Sequence, residues 1–363
     1  MGASVGKTAR VLVVDDSAFY RQSLSLMLNE IPGVEVIGTA ADGLEAIQAI
    51  TKCQPSVITL DLEMPRMDGF GFLRWLMRTM PTPVLVVSAA SDAANVFRAL
   101  ELGAADFLAK PTHRASWEIL QVRRELEAKL QAILAASPAK LRERAAKSAA
   151  LPVSAPIVKK VERPSVDRIT MIAVGASTGG PAAIQTLIST LPYDSTCAVS
   201  VAQHMPPGFT ASFAERLNRL SEWRVVEADS GHWCRGGEVL ICPGGRHLSF
   251  ERQGDRVRTV LEDAQATDRY TPSVDRLMAS SAEVYGSDLI GIILTGMGHD
   301  GRQGMALIKK RGGFTIAESE ETAVVFGMPN EAIQEGAVAV VAPLHGIVDQ
   351  VVRHLTAGAR KVG

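Results

Sequence analysis

Three polar side chains in the second half of the sequence could together cleave an ester or amide bond. Ser177 lies in the run Gly175–Gly179, where small residues surround a hydroxyl directly after an apolar segment. Such a G-x-S-x-G turn exposes the serine as a nucleophile, and the N–H groups after it can face an oxyanion. His204 and Asp300 could supply the base that a serine needs and the acid that holds the tautomer of that base. The pattern predicts acyl transfer.

The order of these three residues along the chain is Ser, His, Asp, whereas α/β-hydrolases have Ser, Asp, His. A competing interpretation is that Gly175–Gly180 cradles a phosphate at a helix N-terminus, which would make this region a nucleotide-binding module. Against it, Gly179-Gly180-Pro181 stands where a phosphate-binding loop has Gly-Lys-Ser/Thr. A third interpretation is a non-catalytic output domain that only docks on a partner protein, and the intact set of three residues argues against it.

A second group of polar residues lies in the first third of the chain. Asp15 and Asp16 follow one apolar segment and Asp61 follows another, while Ser88 and Lys110 follow two more. Converging carboxylates repel each other unless a cation lies among them, and oxygen ligands suit Mg²⁺. Lys110 adds a fixed positive charge and Ser88 a hydroxyl donor. The group predicts a phosphate-binding site in which a carboxylate such as Asp61 is the covalent acceptor.

Two α/β blocks must position these residues. In both, short apolar runs alternate with amphipathic segments, which predicts a doubly wound parallel sheet with ligands at the carboxyl ends of its strands. The strands predicted for the first block are Arg10–Val14, Val34–Ala40, Val57–Leu60, Val84–Val87 and Asp106–Ala109, with helices that include Ala18–Asn29 and Gly69–Met80.

The second block shows the same alternation, interrupted by one predicted antiparallel hairpin of His247–Glu251 and Val257–Leu261 around Gln253-Gly254-Asp255. Its predicted strands are Thr170–Val174, Ala198–Ala202, Val239–Ile241, Leu289–Leu294, Thr315–Ala317 and Val338–Val341. Its predicted helices are Pro181–Thr190, Phe209–Leu217, Ser273–Val284, Gly304–Lys310 and Ile347–Leu355.

The region between the blocks has a different composition. It is helical at first and then rich in Ala, Lys, Arg and Pro, which is typical of a linker. We therefore predict a domain at residues 8–128, a linker at 129–167 and a second domain at 168–357.

Bulk composition excludes several classes of protein. The 363 residues carry 38 Lys+Arg and 39 Asp+Glu, a balance that argues against non-specific binding to nucleic acid. The four scattered cysteines form no C-x-x-C pair, which favours free thiols in a reducing compartment. The apolar run Val11–Val14 ends in aspartates, and no run reaches about 18 apolar residues. We expect a cytoplasmic protein without membrane insertion.

Residues 8–128 resemble the response-regulator receiver domain. The motifs that carry the resemblance are Val11–Ser17, Asp61–Gly69, Ser88-Ala89 and Lys110-Pro111. The resemblance implies a (βα)5 fold in which a histidine kinase is the phosphodonor and Asp61 is phosphorylated. Further implied roles are Mg²⁺ binding by Asp15, Asp16, Asp61 and the backbone carbonyl of Glu63, and a switch formed by Ser88, Phe107 and Lys110.

Residues from about Ile169 to Leu355 resemble the methylesterase domain of the bacterial chemotaxis protein-glutamate methylesterase family. Besides the serine, histidine and aspartate motifs, Arg269–Leu277 and Ala323–Pro329 are similar to the family. The resemblance implies a triad of Ser177, His204 and Asp300, with the backbone N–H of Met297 as an oxyanion donor.

The two resemblances together imply a function. The expected reaction is demethylation of glutamate methyl esters in the cytoplasmic domains of chemoreceptors, with release of methanol and no cofactor for the esterase. Deamidation of receptor glutamines is possible through an equivalent intermediate. The unphosphorylated receiver is expected to block the esterase. The alternative left open is the same chemistry on a receptor array that controls something other than motility.

Overall fold

The computed structural model describes residues 8–89, 92–110, 116–135 and 169–359. The chain divides into two compact units, one before and one after residue 152. The predicted linker falls largely on residues 136–168, which lie outside the described residues. Each unit is a domain with its own sheet and core, and the two are described separately.

The first domain is a five-stranded parallel sheet in the order β2-β1-β3-β4-β5, as predicted. The reversal of strand order beside β1 brings the carboxyl ends of β1 and β3 together, which is where ligands bind in such sheets. The strands are β1 (Ala9–Val14), β2 (Val34–Ala40), β3 (Val57–Leu60), β4 (Val84–Ser88) and β5 (Asp106–Ala109). The helices are α1 (Ala18–Asn29), α2 (Gly43–Cys53), α3 (Gly69–Thr79), α4 (Ala93–Glu101) and α5 (Ser116–Ala135).

The core of the first domain extends along α5. Val11 and Val13 of β1 are fully buried, as expected for a strand covered on both faces by helices. Leu130 and Ile133 of α5 are buried in the same core. The boundary predicted after residue 128 therefore falls inside a helix whose last turns pack on this domain.

The second domain is a seven-stranded, wholly parallel sheet in the order β14-β13-β12-β6-β7-β9-β8. The order reverses beside β6, so the carboxyl ends of β6, β7 and β12 meet at one place. The strands are β6 (Thr170–Ala176), β7 (Cys197–Gln203), β8 (Arg224–Glu227), β9 (Glu238–Ile241), β12 (Leu289–Ile293), β13 (Phe314–Glu318) and β14 (Val340–Ala342), with an antiparallel hairpin of β10 (Arg246–Gln253) and β11 (Arg256–Asp263). The helices are α6 (Gly180–Thr190), α7 (Phe209–Leu220), α8 (Val274–Tyr285), α9 (Arg302–Lys310), α10 (Met328–Gln334) and α11 (Leu344–Ala359).

Two elements of the second domain were not predicted. Strand β8 is a four-residue edge strand that is only partly buried, so its sequence lacks a continuous apolar run. Helix α10 has seven residues and begins with Pro329 in its first turn, which the sequence presents as a loop signal. Strand β8 lies at one edge of the sheet, whereas α10 packs on β12 and β13, and neither changes the order of the strands that carry the candidate site.

The remaining expectations from composition concern thiols and membranes. All four cysteines are free, and burial raises the pKa of the Cys234 thiol to about 12, so this thiol is unreactive at neutral pH. Within the described ranges, none of the helices has the length and apolar character needed to cross a bilayer.

Candidate active site

Ser177 follows β6 directly, at the turn into α6. Its N–H donates to the carbonyl of Thr295 (3.0 Å), and its carbonyl accepts the N–H of Gly180 (2.8 Å). Gly296 passes so close that a Cβ there would lie 2.8 Å from the Cβ of Ser177. The serine is therefore fixed in a tight strand-to-helix turn, as the G-x-S-x-G pattern predicted.

His204 follows the neighbouring strand β7. Its N–H donates to the carbonyl of Ala176 (3.1 Å), so the two strand ends stay in register up to the candidate site. The buried amide of Gln203 donates from Nε2 to the carbonyls of both Ser177 (2.9 Å) and His204 (3.1 Å). One side chain thus fixes the backbones that carry the candidate nucleophile and base.

His204 and Asp300 are in direct contact. The Nε2 atom of His204 lies 2.8 Å from Oδ2 of Asp300. This hydrogen bond leaves Nδ1 as the ring nitrogen available to a nucleophile. No hydrogen bond between His204 and the hydroxyl of Ser177 is found among the described residues, and such contacts often tighten only when substrate binds.

The N-terminus of α8 holds Asp300. Its Oδ1 atom accepts hydrogen bonds from the hydroxyl of Ser273 (3.1 Å) and the N–H of Asp275 (2.9 Å), and its Oδ2 atom accepts one from the N–H of Val274 (2.7 Å). Burial alone would raise the pKa of the Asp300 carboxyl, but these N–H groups and His204 outweigh burial and lower it. Asp300 is therefore a buried carboxylate that is ionised at neutral pH.

Met297 lies in the turn between Gly296 and Gly298. The turn is fixed by the segment that starts α10, because the carbonyl of Gly296 accepts the N–H groups of Gly327 (3.1 Å) and Met328 (2.8 Å). The N–H of Met297 has no acceptor among the described residues, so it remains available to a bound oxyanion.

An aromatic residue supports the candidate base. The ring of Tyr270 stacks on the imidazole of His204, with centroids 4.9 Å apart and an angle of 7° between the planes. His299, the residue before Asp300, contacts the same ring edge-on, and its Nε2 lies 3.1 Å from Nη1 of Arg269. Because an arginine can only donate, His299 is the acceptor in this bond.

Sequence reasoning missed three of these supporting residues. Gln203 directly precedes His204 at the end of an apolar strand. A polar amide in that position is a sequence signal for hydrogen bonds to the backbone. Ser273 is the N-cap of α8. A serine that follows a proline and precedes a helical pattern is a typical N-cap signal, so its position could have been predicted. Tyr270 lies in an irregular segment, and no periodic signal assigned it a neighbour.

In the first domain, Asp15, Asp61 and Lys110 form one cluster. Lys110 Nζ lies 2.9 Å from Oδ2 of Asp15 and 2.7 Å from Oδ2 of Asp61. Burial raises the pKa of the Asp61 carboxyl, against the lowering effect of Lys110. Burial would lower the pKa of the Lys110 ammonium, but its hydrogen bonds to Asp61 and Asp15 raise it. The cluster places one ammonium between two buried carboxylates and so keeps an excess of negative charge, which a bound cation would offset.

The donor set of this cluster suits a hard divalent cation. Carboxylate oxygens of Asp15, Asp16 and Asp61 lie within 4.8 Å of one another. Gly69 passes so close to this loop that a Cβ there would lie 2.3 Å from the carbonyl oxygen of Asp61. All the candidate ligands offer oxygen, which is the donor that Mg²⁺ prefers.

The two remaining candidate switch residues, Ser88 and Phe107, are both buried. Ser88 ends β4, and its carbonyl accepts the N–H of Lys110 (2.8 Å). Phe107 of β5 is buried and meets Phe97 edge-on, with centroids 6.5 Å apart. The ammonium of Lys129, in α5, lies 5.2 Å from the centroid of Phe107.

Comparison with known proteins identifies two families along the chain. The family model described as CheB methylesterase matches residues 172–351, and the model described as response regulator receiver domain matches residues 11–119. Nothing in the comparisons specifically supports the non-motility output that the sequence left open.

Full-length relatives match over both domains. A protein-glutamate methylesterase/protein-glutamine glutaminase of Geobacter sulfurreducens is 49% identical over 91% of this chain and 92% of its own. One of Symbiobacterium thermophilum is 43% identical over 99% of this chain and 100% of its own. The crystal structure of the Thermotoga maritima CheB methylesterase catalytic domain is 40% identical and aligns with a TM-score of 0.50, covering 51% of this chain and 98% of that domain.

Proposed function

This chain belongs to the family of protein-glutamate methylesterases/protein-glutamine glutaminases, and on that premise we propose that it demethylates glutamate side chains of chemoreceptors under the control of phosphorylation. The observation that carries the proposal is the meeting of Ser177, His204 and Asp300 at the carboxyl ends of β6, β7 and β12. The 2.8 Å hydrogen bond between His204 and Asp300 supports His204 as the base and Asp300 as the acid that holds its tautomer.

The reaction is acyl transfer through a covalent intermediate. His204 Nδ1 removes the proton of the Ser177 hydroxyl as its Oγ attacks the γ-carbonyl carbon of a methylated glutamate. The N–H of Met297 donates to the oxyanion, and one such donor is typically worth about 3 kcal/mol of barrier. His204 returns the proton to the methoxy oxygen as its bond to carbon breaks, and methanol leaves. A water molecule, activated by the same imidazole, then hydrolyses the acyl-serine and regenerates the hydroxyl.

The same residues can release ammonia from a receptor glutamine. The tetrahedral intermediate carries an amine in place of methoxide, and His204 protonates that amine as it leaves. The relatives carry both activities in their names, which favours deamidation as the second reaction of this chain.

Asp61 is the proposed control point. A histidine kinase supplies a phosphoryl group, which moves from the kinase histidine to a carboxylate oxygen of Asp61. Asp15, Asp16, Asp61 and the backbone carbonyl of Glu63 would hold Mg²⁺, which supplies positive charge to the phosphoryl oxygens. Lys110 then faces a new anion, and Ser88 and Phe107 change position in response. This charge change biases a two-state element and releases the esterase from inhibition.

Methanol release from membranes that contain methylated receptors tests the proposal. Full-length protein should release methanol, and a small-molecule phosphodonor should increase the rate. Ser177→Ala should release none. The matched control is Ser189→Ala, which removes an exposed hydroxyl from α6. Substantial turnover by Ser177→Ala would mean that another group is the nucleophile.

A further inference from the structure

His247 is a buried histidine outside the proposed triad. Ser273 connects it to the triad, because Ser273 forms hydrogen bonds with both His247 and Asp300. His247 lies on β10, the first strand of the hairpin, and its side chain is only 1% exposed. Its Nδ1 accepts the backbone N–H of Ser273 (3.1 Å), and its Nε2 lies 2.9 Å from Oδ2 of Asp268. The hairpin thus reaches the residue that begins α8.

The partners of His247 define its protonation. An N–H can only donate, so Nδ1 must carry a lone pair, and the proton is on Nε2, where Asp268 accepts it. The charge of Asp268 is balanced by Arg276, whose Nη2 lies 2.6 Å from Oδ1. Asp268 Oδ2 also accepts the N–H of Gln265 (2.8 Å). His247 is therefore a neutral imidazole in a single tautomer.

Ser273 transmits this contact to Asp300. Three of the four hydrogen bonds to the Asp300 carboxylate come from Ser273, Val274 and Asp275, which are the N-cap and first turn of α8. The fourth partner is His204. Because the first N–H groups of a helix have no partner within the helix, the position of this turn decides where the carboxylate is held.

We propose that His247 is a positioning residue for the esterase reaction, one that fixes the backbone of Ser273 and through it the Asp300–His204 pair. The inference rests on the proposed function, because it assigns a purpose to the geometry of that triad. It also assigns a role to the inserted hairpin, which packs on α8 and contributes this side chain. His247 does not touch substrate in this role.

Three variants separate positioning from packing. In His247→Asn, the amide oxygen can take the place of Nδ1 and accept from Ser273. In His247→Gln, the amide group reaches the position of Nε2, so the bond to Asp268 is kept and the acceptor for Ser273 is lost. His247→Leu keeps bulk and removes both bonds. The full-length chain is used throughout, with a phosphodonor present and with melting temperature measured for each variant.

The expected result is a loss in maximal rate without a matching change in KM. Displacement of a catalytic group by about 1 Å can cost up to about 100-fold, so His247→Gln and His247→Leu should lose about 10- to 100-fold in methanol release. His247→Asn should stay within about threefold of the wild type. Equal losses in His247→Asn and His247→Gln, or wild-type rates in His247→Gln, would overturn the inference.

A double-variant comparison supplies the second readout. If His247 acts through Asp300, then adding His247→Gln to Asp300→Asn should cause little further loss of the residual rate. A further loss as large as in the wild-type background would show that His247 acts elsewhere and would contradict the proposal. Ser177→Ala separates failure of this inference from failure of the proposed function. If Ser177→Ala is inactive while His247→Gln is fully active, the inference fails and the proposed function stands.

Discussion

The Nε2 atom of His204 lies 2.8 Å from the Oδ2 atom of Asp300, although 96 positions separate the two residues in the chain. Because Asp300 also accepts three hydrogen bonds from the start of α8, the imidazole has a fixed partner on one side. Nδ1 is therefore the ring nitrogen left for a nucleophile, the reverse of the arrangement in which Nδ1 contacts the acid.

Asp300→Asn should lose most activity while keeping the fold. An asparagine NH₂ would donate to Nε2, which places the imidazole proton on Nδ1 and removes the base that Ser177 needs. In a comparable triad the same change costs about 10⁴-fold in kcat, so we expect a loss on the order of 10³- to 10⁴-fold in methanol release. The control is Asp349→Asn, which removes a carboxylate from α11. A loss below about tenfold would contradict the role assigned to Asp300.

Tyr270→Ala should lower the maximal rate more than Tyr270→Phe does. The stacked ring limits rotation of the His204 imidazole and stabilises the imidazolium that forms as Ser177 attacks, since a cation is attracted to an aromatic face. Phenylalanine keeps the face, whereas alanine removes it. We expect a loss of about tenfold for alanine and less than about threefold for phenylalanine, from a contact worth about 1–2 kcal/mol. Steady-state methanol release measures both, and equal losses would assign the effect to the phenolic hydroxyl.

Gly296→Ala should inactivate the esterase. A Cβ at this position would lie 2.3 Å from Sδ of Met328 and 2.8 Å from Cβ of Ser177, so the serine turn or α10 must shift. A shift of about 1 Å at a nucleophile can cost about 100-fold. Gly346→Ala is the matched control, because its nearest neighbours are at ordinary contact distance, 3.6 Å. Fluorophosphonate labelling of Ser177 reads the effect directly, and unchanged labelling of Gly296→Ala would show that the turn adapts.

Asp61→Asn should abolish the response to a phosphodonor. The substitution removes the carboxylate that accepts the phosphoryl group and that contacts Lys110 at 2.7 Å. The ratio of methanol release with and without phosphodonor should therefore fall to one. Asp68→Asn serves as control, since Asp68 caps α3 and lies outside the cluster. A ratio in Asp61→Asn equal to the wild-type ratio would place the phosphoryl group elsewhere.

Most strand positions could be predicted from the sequence because those strands are short segments rich in apolar residues. The bounds of β2, β3 and β5 match the prediction at both ends, and the site residues lie where strands end. Edge strand β8 escaped prediction because its exposed side has no need of apolar residues. A local apolar pattern is thus enough for most strands and is missing from a short, partly buried edge strand such as β8.

The contacts that support the triad are a different case. Gln203 joins the ends of β6 and β7, Tyr270 stacks on His204, and His247 accepts a hydrogen bond from Ser273, so each contact depends on how separate elements pack. A histidine on a predicted strand is expected to be a structural residue with hydrogen-bond partners, and His247 has them. Only the tertiary arrangement identifies Ser273 as one of these partners. The chemistry of these polar residues could thus be predicted from the sequence more readily than the residues that they contact.

His354→Gln should reduce the loss of stability that the second domain suffers on mild acidification. The imidazole of His354 stacks on Phe314 with centroids 4.2 Å apart, and partial burial lowers its pKa. The unfolded chain, with a histidine pKa of about 6.5, then binds a proton at a higher pH than the folded domain does. The contribution of His354 to the free energy of unfolding is therefore fully present above about pH 7. It is lost as the pH drops through the lowered pKa of the folded domain. Thermal unfolding at pH 7.5 and pH 5.5 should show a smaller difference in melting temperature for His354→Gln than for the wild type. His345→Gln, which removes an exposed histidine from the same helix, is the matched control. An unchanged difference in His354→Gln would mean that this stacked pair does not contribute to the pH dependence.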